Sequence, residues 1–196
     1  EFLLLGLLKG TIASLKEFNE KGKEIDVILS KPFFCVVIIS LSIINGKQFI
    51  NTENIIETVE RNFPPEIQGY GRNSLEMNKI IFVFSLDAIS DSLLESQLLS
   101  IQKDIKERWD LTSTIGVGNK QTNIGDIGKS YIQASSAIDY KLIKGENKII
   151  FFNEIIENSG VDYYPKDQLE SLELSIMQMN SQKISDIVLN IIIFIK

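Results

Sequence analysis

Residues 33–44 read Phe33-Phe34-Cys35-Val36-Val37-Ile38-Ile39-Ser40-Leu41-Ser42-Ile43-Ile44, and this run decides the fold class. Apolar side chains fill odd and even positions alike, and Val36, Val37, Ile38, Ile39 and Ile43 are β-branched. A half-exposed strand would alternate, so this pattern predicts a strand buried on both faces. Broken by Ser40 and Ser42, the run falls well short of the ~20 apolar residues that a spanning helix needs. The stretch from Phe2 to Leu8 is shorter still, and it lacks the charged leader and cleavage site of a signal peptide.

On the C-terminal side, Asn51 or Thr52 can cap a helix whose Ile55, Ile56, Val59 and Phe63 fall at helical spacing, with Pro64 and Pro65 ending it. Gly69, Gly71, Asn73 and Asn78 punctuate two short strands, the second running from Lys79 to Leu86. Ser90 or Asp91 opens a long helix with Leu94, Leu98, Ile101, Ile105 and Trp109 in line. A strand from Ser113 to Val117 follows, then a helix carrying Ile127, Tyr131, Ala134 and Ile138 and closed by Gly145, then a strand from Lys148 to Phe152. The order β-α-β-β-α-β with a further α-β predicts an α+β fold of ferredoxin-like or nucleotide-cyclase-like plan. Its sheet is rich in antiparallel pairs, with helices on one face. Within it, Ala134 is expected where its helix meets the sheet.

Flanking helices are expected at both ends. Residues 1–22 read as lead-in helices broken at Gly10, 23–157 as the body, and 158–196 as C-terminal connecting helices. The last helix carries Ile184, Ile187, Val188, Leu189 and the run Ile191 to Ile195, apolar nearly all round. Such a helix needs cover beyond a single stripe. Leu4, Leu5, Leu8, Ile187, Ile191 and Ile195 are therefore the candidate interaction surface, for self-association or for contact with a neighbouring domain. Beginning at Glu1 and stopping inside this helix, the chain reads as a fragment of a longer protein.

Charge and composition narrow the chemistry. The chain has 196 residues, a net charge of −6 and no histidine. An acidic balance with scattered lysines lacks the basic face that phosphate contacts require, so no direct nucleic-acid binding is expected. Without histidine there is no Ser-His or Cys-His nucleophile pair and no ordinary neutral-pH proton shuttle. Cys35 is the lone cysteine and sits in the apolar run, which suits a small core residue in a reducing cytoplasm.

One stretch imitates a phosphate-binding loop, because Thr114 to Val117 is followed by a glycine-bearing loop and by Gly128-Lys129-Ser130 at a helix start. A P-loop needs a further glycine five residues before Gly128, and Asn123 stands there. The plainer reading is a turn and helix start built on Gly125, Asp126 and Gly128. Gly116 and Gly118 mark a tight strand end. Asp87 and Asp91 flank a helix start, where capping already explains a carboxylate. Asp162 with Tyr163 and Tyr164 reads as a linker turn. No catalytic, cofactor-binding, metal-ligating or DNA-binding residue is assigned.

Residues 114–118 (Thr-Ile-Gly-Val-Gly) together with Ser130-Tyr131-Ile132-Gln133-Ala134, Ala137, Tyr140, Gly145-Glu146-Asn147 and Ile149 to Phe152 form a pattern. It resembles the degenerate GGDEF-like domain in the middle of many AraC-type regulators of Firmicutes, a module that recurs in carbohydrate-diacid regulators. Phe2 to Gly10 is similar to that family's lead-in helix, and Tyr163-Tyr164-Pro165 to its entry into the last helices. Diguanylate cyclases of the same fold hold metal-binding aspartates at the end of the first strand and an acidic turn in the hairpin. Here the strand end reads Ser40-Leu41-Ser42, and Ser74 to Ile80 has neither the glycine pair nor the acidic pair. The resemblance thus implies a retained fold without phosphoryl transfer. It implies a non-catalytic regulatory or dimerisation module that passes an upstream signal to a DNA-binding domain outside this chain. The alternatives are a small-molecule sensor with a pocket under the hairpin between Gly69 and Lys79, and a residual nucleotide cyclase or phosphohydrolase.

Overall fold

The computed structural model describes residues 2–12, 14–43, 50–87 and 91–158. The chain divides into two compact units, 1–158 and 159–196, and the described residues belong to the first. Expectations about Asp162, Tyr163, Tyr164, Ile187, Ile191 and Ile195 lie outside the described residues.

The doubly apolar run forms strand β1 (Phe33–Ile43), buried over nearly its whole length. Helix α3 (Thr52–Arg61) follows, its start fixed by the Asn51 side chain accepting the Asn54 N–H at 3.2 Å. Strands β2 (Ile67–Asn73) and β3 (Lys79–Leu86) form a hairpin, helix α4 (Asp91–Trp109) crosses the sheet, and β4 (Leu111–Val117) returns beside β1. Helix α5 (Ile127–Asp139), the short α6 (Lys141–Lys144), β5 (Ile149–Phe151) and α7 (Phe152–Asn158) complete the unit. The strand order is β2-β3-β1-β4-β5, with β4–β5 parallel and the other neighbours antiparallel. The fold is α+β, in the expected element order.

The placement of helices on one face holds only for α3 and α4. Cys35, Val37, Ile39 and Leu41 point into a core with Ile55, Ile56 and Val59 of α3 and Leu94, Leu98, Ile101 and Ile105 of α4. Phe34, Val36 and Ile38 point the other way, into a second core with Ile127, Ala134 and Ile138 of α5. That second core also takes Leu4 and Leu7 from α1 (Phe2–Leu8) and Phe18 from α2 (Leu15–Gly22). This unit is therefore three-layered, and residues of α1 and α2 form part of its second core. Phe18 is 0% exposed and Leu7 1%, so the lead-in helices are core elements. Fully burying each such side chain contributes about 1.5–3 kcal/mol. Gly10, at φ +72°, ends α1 as expected.

Two further local expectations change. Gly69 and Gly71 lie inside β2 rather than between strands. A Cβ at Gly69 would meet the Phe84 ring at 2.5 Å, and one at Gly71 the Phe82 ring at 2.7 Å. Phe63 packs edge-on against Phe82 and Phe84 there, with Phe63–Phe84 centroids 5.1 Å apart and Phe82 tilted against Phe84. The glycines make room for aromatic rings and do not turn the chain. The last strand is also shorter than the expected 148–152, because Phe152 already begins α7.

Helix α5 lies unusually close to β4. A Cβ at Gly116 would fall 2.4 Å from the Ala134 carbonyl oxygen, and one at Gly118 2.0 Å from that of Ser130. Ala134 and Ala137 are fully buried. Leucine at Ala134 has no space to enter, so Ala134→Leu is expected to cost about 1–3 kcal/mol by overpacking. Urea denaturation checks this, and an unchanged midpoint would mean that α5 presents a different face to the sheet.

Candidate functional site

Four backbone donors of the loop that imitates a P-loop are already committed. The Gly118 N–H donates to the Val36 carbonyl at 3.0 Å and the Gln121 N–H to that of Phe34 at 2.7 Å. The Asn119 N–H donates to Gln133 Oε1, and the Gly125 N–H to Asn123 Oδ1, both at 3.0 Å. Asn123, standing where a P-loop has glycine, thus occupies an amide that a phosphate would need. Ser130 is fully buried, and its Oγ accepts the Val36 N–H at 2.9 Å. Lys129 is exposed and paired with Asp126 at 2.7 Å. A phosphate cradle requires converging free N–H groups and a reachable hydroxyl; the loop instead fastens α5 to β1 and β4.

The end of β1 carries hydroxyls and no carboxylate at Ser40 and Ser42. Ser40 is buried and aligned between Lys79 of β3 and Thr114 of β4. Ser42 is half-buried and aligned with Thr112. In the hairpin the Glu76 N–H donates to Ser74 Oγ, and the Glu76 carboxylate pairs with Lys79 at 2.5 Å. Among the described residues, no group of three or more His, Cys, Asp or Glu side chains is arranged to hold a metal.

The remaining sequence candidates have structural placements. Asp87 pairs with Lys31 at 2.5 Å, and Asp91 begins α4. Cys35 is buried on β1. Leu4 is buried in the second core, Leu8 packs against that core, and Leu5 is half-buried. Among the described residues, no helix is long and apolar enough to cross a membrane.

Two small cavities lie among the described residues and bear on function. One, of about 220 Å³, opens at the carboxyl ends of the parallel strands β4 and β5, between Val117, Asn119, Phe151 and the first turns of α4. The other, of about 270 Å³, lies against edge strand β2, lined by Leu3, Leu4, Ile25, Asp26, Val27, Glu60, Tyr70 and Gly71. Its polar centre is Glu60, which sequence reasoning missed. Glu60 Oε1 accepts the Gly71 N–H at 2.7 Å. Tyr70 has its hydroxyl held by the Ile28 backbone, accepting from the N–H at 3.1 Å and donating to the carbonyl at 3.2 Å. Burial pushes the Glu60 carboxyl above the ordinary glutamate pKa, the Gly71 N–H pulls it back, and the neighbouring Glu57 charge adds to the rise.

Two outcomes follow from this geometry. Ser130→Ala leaves the buried Val36 N–H without its acceptor and should cost about 1–3 kcal/mol. Lys129→Ala, at an exposed side chain, should stay within about 0.5 kcal/mol. Equal effects in denaturation would contradict the fastening role of Ser130. For Glu60, a raised folded-state pKa means that the folded chain binds this proton more tightly than the unfolded one. Its contribution to stability is therefore present at acidic pH and declines as pH rises from the ordinary glutamate value through the folded-state value. Glu60→Gln keeps an acceptor for Gly71 and has no proton to lose. It should be the more stable form at neutral pH and show a flatter profile across that window. Parallel urea midpoints from acidic to neutral pH would reveal a wrong sign.

No family model matches the chain, and no curated protein matches it. Among solved structures it is similar to a protein described as an amidohydrolase/peptidase from Burkholderia cenocepacia. That match has 10% identity and a TM-score of 0.26, and covers 61% of this chain. The chain spans about a third of that protein, 34% of its length. A likeness this slight carries no argument about fold or activity.

Proposed function

We propose that the chain is a non-catalytic regulatory or dimerisation module of a cytoplasmic transcriptional regulator. In this reading it relays an upstream signal to a DNA-binding domain outside the chain. The reading rests on the resemblance to GGDEF-like middle domains of AraC-type regulators. One observation carries its non-catalytic part. The end of β1 presents Ser40 and Ser42, aligned with Lys79, Thr114 and Thr112, where phosphoryl transfer needs carboxylates to hold metal ions. Hydroxyls and an ammonium at that place offer no ligand set for a divalent cation. The cavity beside Glu60 favours a second reading, a small-molecule sensor in which ligand occupancy is the signal.

The expected outcome is that the purified chain with magnesium neither condenses GTP into a cyclic dinucleotide nor hydrolyses it. Product above a no-protein blank, abolished by EDTA, would overturn the non-catalytic reading. The relay reading assigns the apolar C-terminal stretch to contacts with a second copy or a neighbouring domain. Ile191→Lys with Ile195→Lys should then alter the sedimentation behaviour while the near-ultraviolet spectrum of the body persists. Unfolding of the whole chain in that double variant would make the stretch core and remove the relay.

A further inference from the structure

We propose that the cavity beside edge strand β2 binds a short aliphatic amine in its ammonium form. The shape sets the size. At about 270 Å³ the space exceeds the roughly 150 Å³ that admits a benzene-sized molecule. It falls below the ~300–1,000 Å³ of drug-sized pockets. Only a handful of heavy atoms fit.

The walls set the body of the ligand. Leu3 and Leu4 of α1, with Ile25 and Val27 just after α2, present aliphatic surface. An alkyl chain suits such walls and a sugar or nucleotide does not. Tyr70 adds an aromatic ring whose hydroxyl is already fixed on the Ile28 backbone.

The charges set the head group. Both ionisable carboxyls on the lining, Asp26 and Glu60, are acids, and no lining residue is basic. An anion is excluded by sign. A hard metal ion is excluded by ligand count, since six or more oxygens are wanted and only two side chains supply them. Glu60 Oε1 is committed to the Gly71 N–H, while Oε2 has no partner among the described residues. A half-buried carboxylate whose burial disfavours its charge gains most from a cation placed against it. An ammonium brings three donors that the Glu60 carboxylate can accept, and Asp26 and Tyr70 line the same space. Organic cation with a short alkyl body is the class that meets all three conditions.

The inference concerns the site alone and stands whether or not the chain is a regulator. Its test is a titration of the ¹⁵N-labelled full chain with n-butylamine and with 1,4-diaminobutane, using butyrate and 1-butanol as isosteric controls. The Gly71 amide, bonded to Glu60, is the reporter. A saturable shift of Gly71 with either amine, absent with both controls, is expected. Glu60→Gln keeps the Gly71 acceptor and should weaken binding by about tenfold or more. A Gly71 amide that stays in place, one that moves equally with butyrate or butanol, or undiminished binding by Glu60→Gln would each overturn the proposal. Should Glu60→Gln lose native dispersion, Asp26→Asn replaces it under the same criteria.

Discussion

Strand β1 cannot tolerate water on either face, and the rest of the unit is arranged around that constraint. Cys35, Val37 and Ile39 on one side and Val36 and Ile38 on the other are all buried. Each face therefore needs its own covering layer. The two crossover helices of the βαββαβ core, α3 and α4, cover the first face. The second is covered by α5 with α1 and α2. Seen this way, the lead-in helices are structural necessities, because they share with α5 the covering of Phe34, Val36 and Ile38 together with Ile81 and Val83 of β3.

The second layer is fastened by small residues rather than by bulk. Glycine at 116 and 118 and the small residues Ser130 and Ala134 let the α5 backbone approach β4 until a single methyl group would collide. The contact trades side-chain area for proximity, and the Ser130 hydroxyl adds a buried hydrogen bond to Val36. Because β5 pairs parallel with β4 only after α5 has crossed the sheet, this contact also fixes where β5 lands. Gly116, Gly118, Ser130 and Ala134 thus have a structural explanation in this packing.

What the sequence made legible follows from how local each signal is. An unbroken apolar run located β1, helical periodicity located α3, α4 and α5, and the stripe Ile127, Tyr131, Ala134, Ile138 identified the face of α5 that meets the sheet. The single-face arrangement was inferred from element order, which speaks for α3 and α4 alone; the doubly apolar β1 already required cover on both sides. Gly69 and Gly71 read as punctuation because glycine locally signals a turn. Here its use is set by Phe82 and Phe84, which arrive from the next strand. Glu60 was invisible for a similar reason. In Thr52–Arg61 it is one more solvated glutamate, and only the approach of Gly71 and the α1 wall makes it the polar centre of a cavity. Long-range placement, not residue type, creates that site.

That placement has a consequence for how the unit can respond to its surroundings. Leu4 serves two structures at once, as part of the second core and as a wall of the cavity. The turn at Asp26 and Val27 is tied to β2 through Tyr70, and β2 is tied to α3 through Glu60 and Gly71. A displacement of α1 would therefore disturb Leu4 packing, the cavity volume and the environment of the Glu60 carboxyl together. Conversely, a molecule filling the cavity would press on Leu4, whose side chain also holds α1 in the second core. Packed interfaces of this kind change between discrete arrangements rather than deforming continuously. The lead-in helix and the edge strand thus form two walls of one small cavity, with Leu4 on one and Tyr70 and Gly71 on the other.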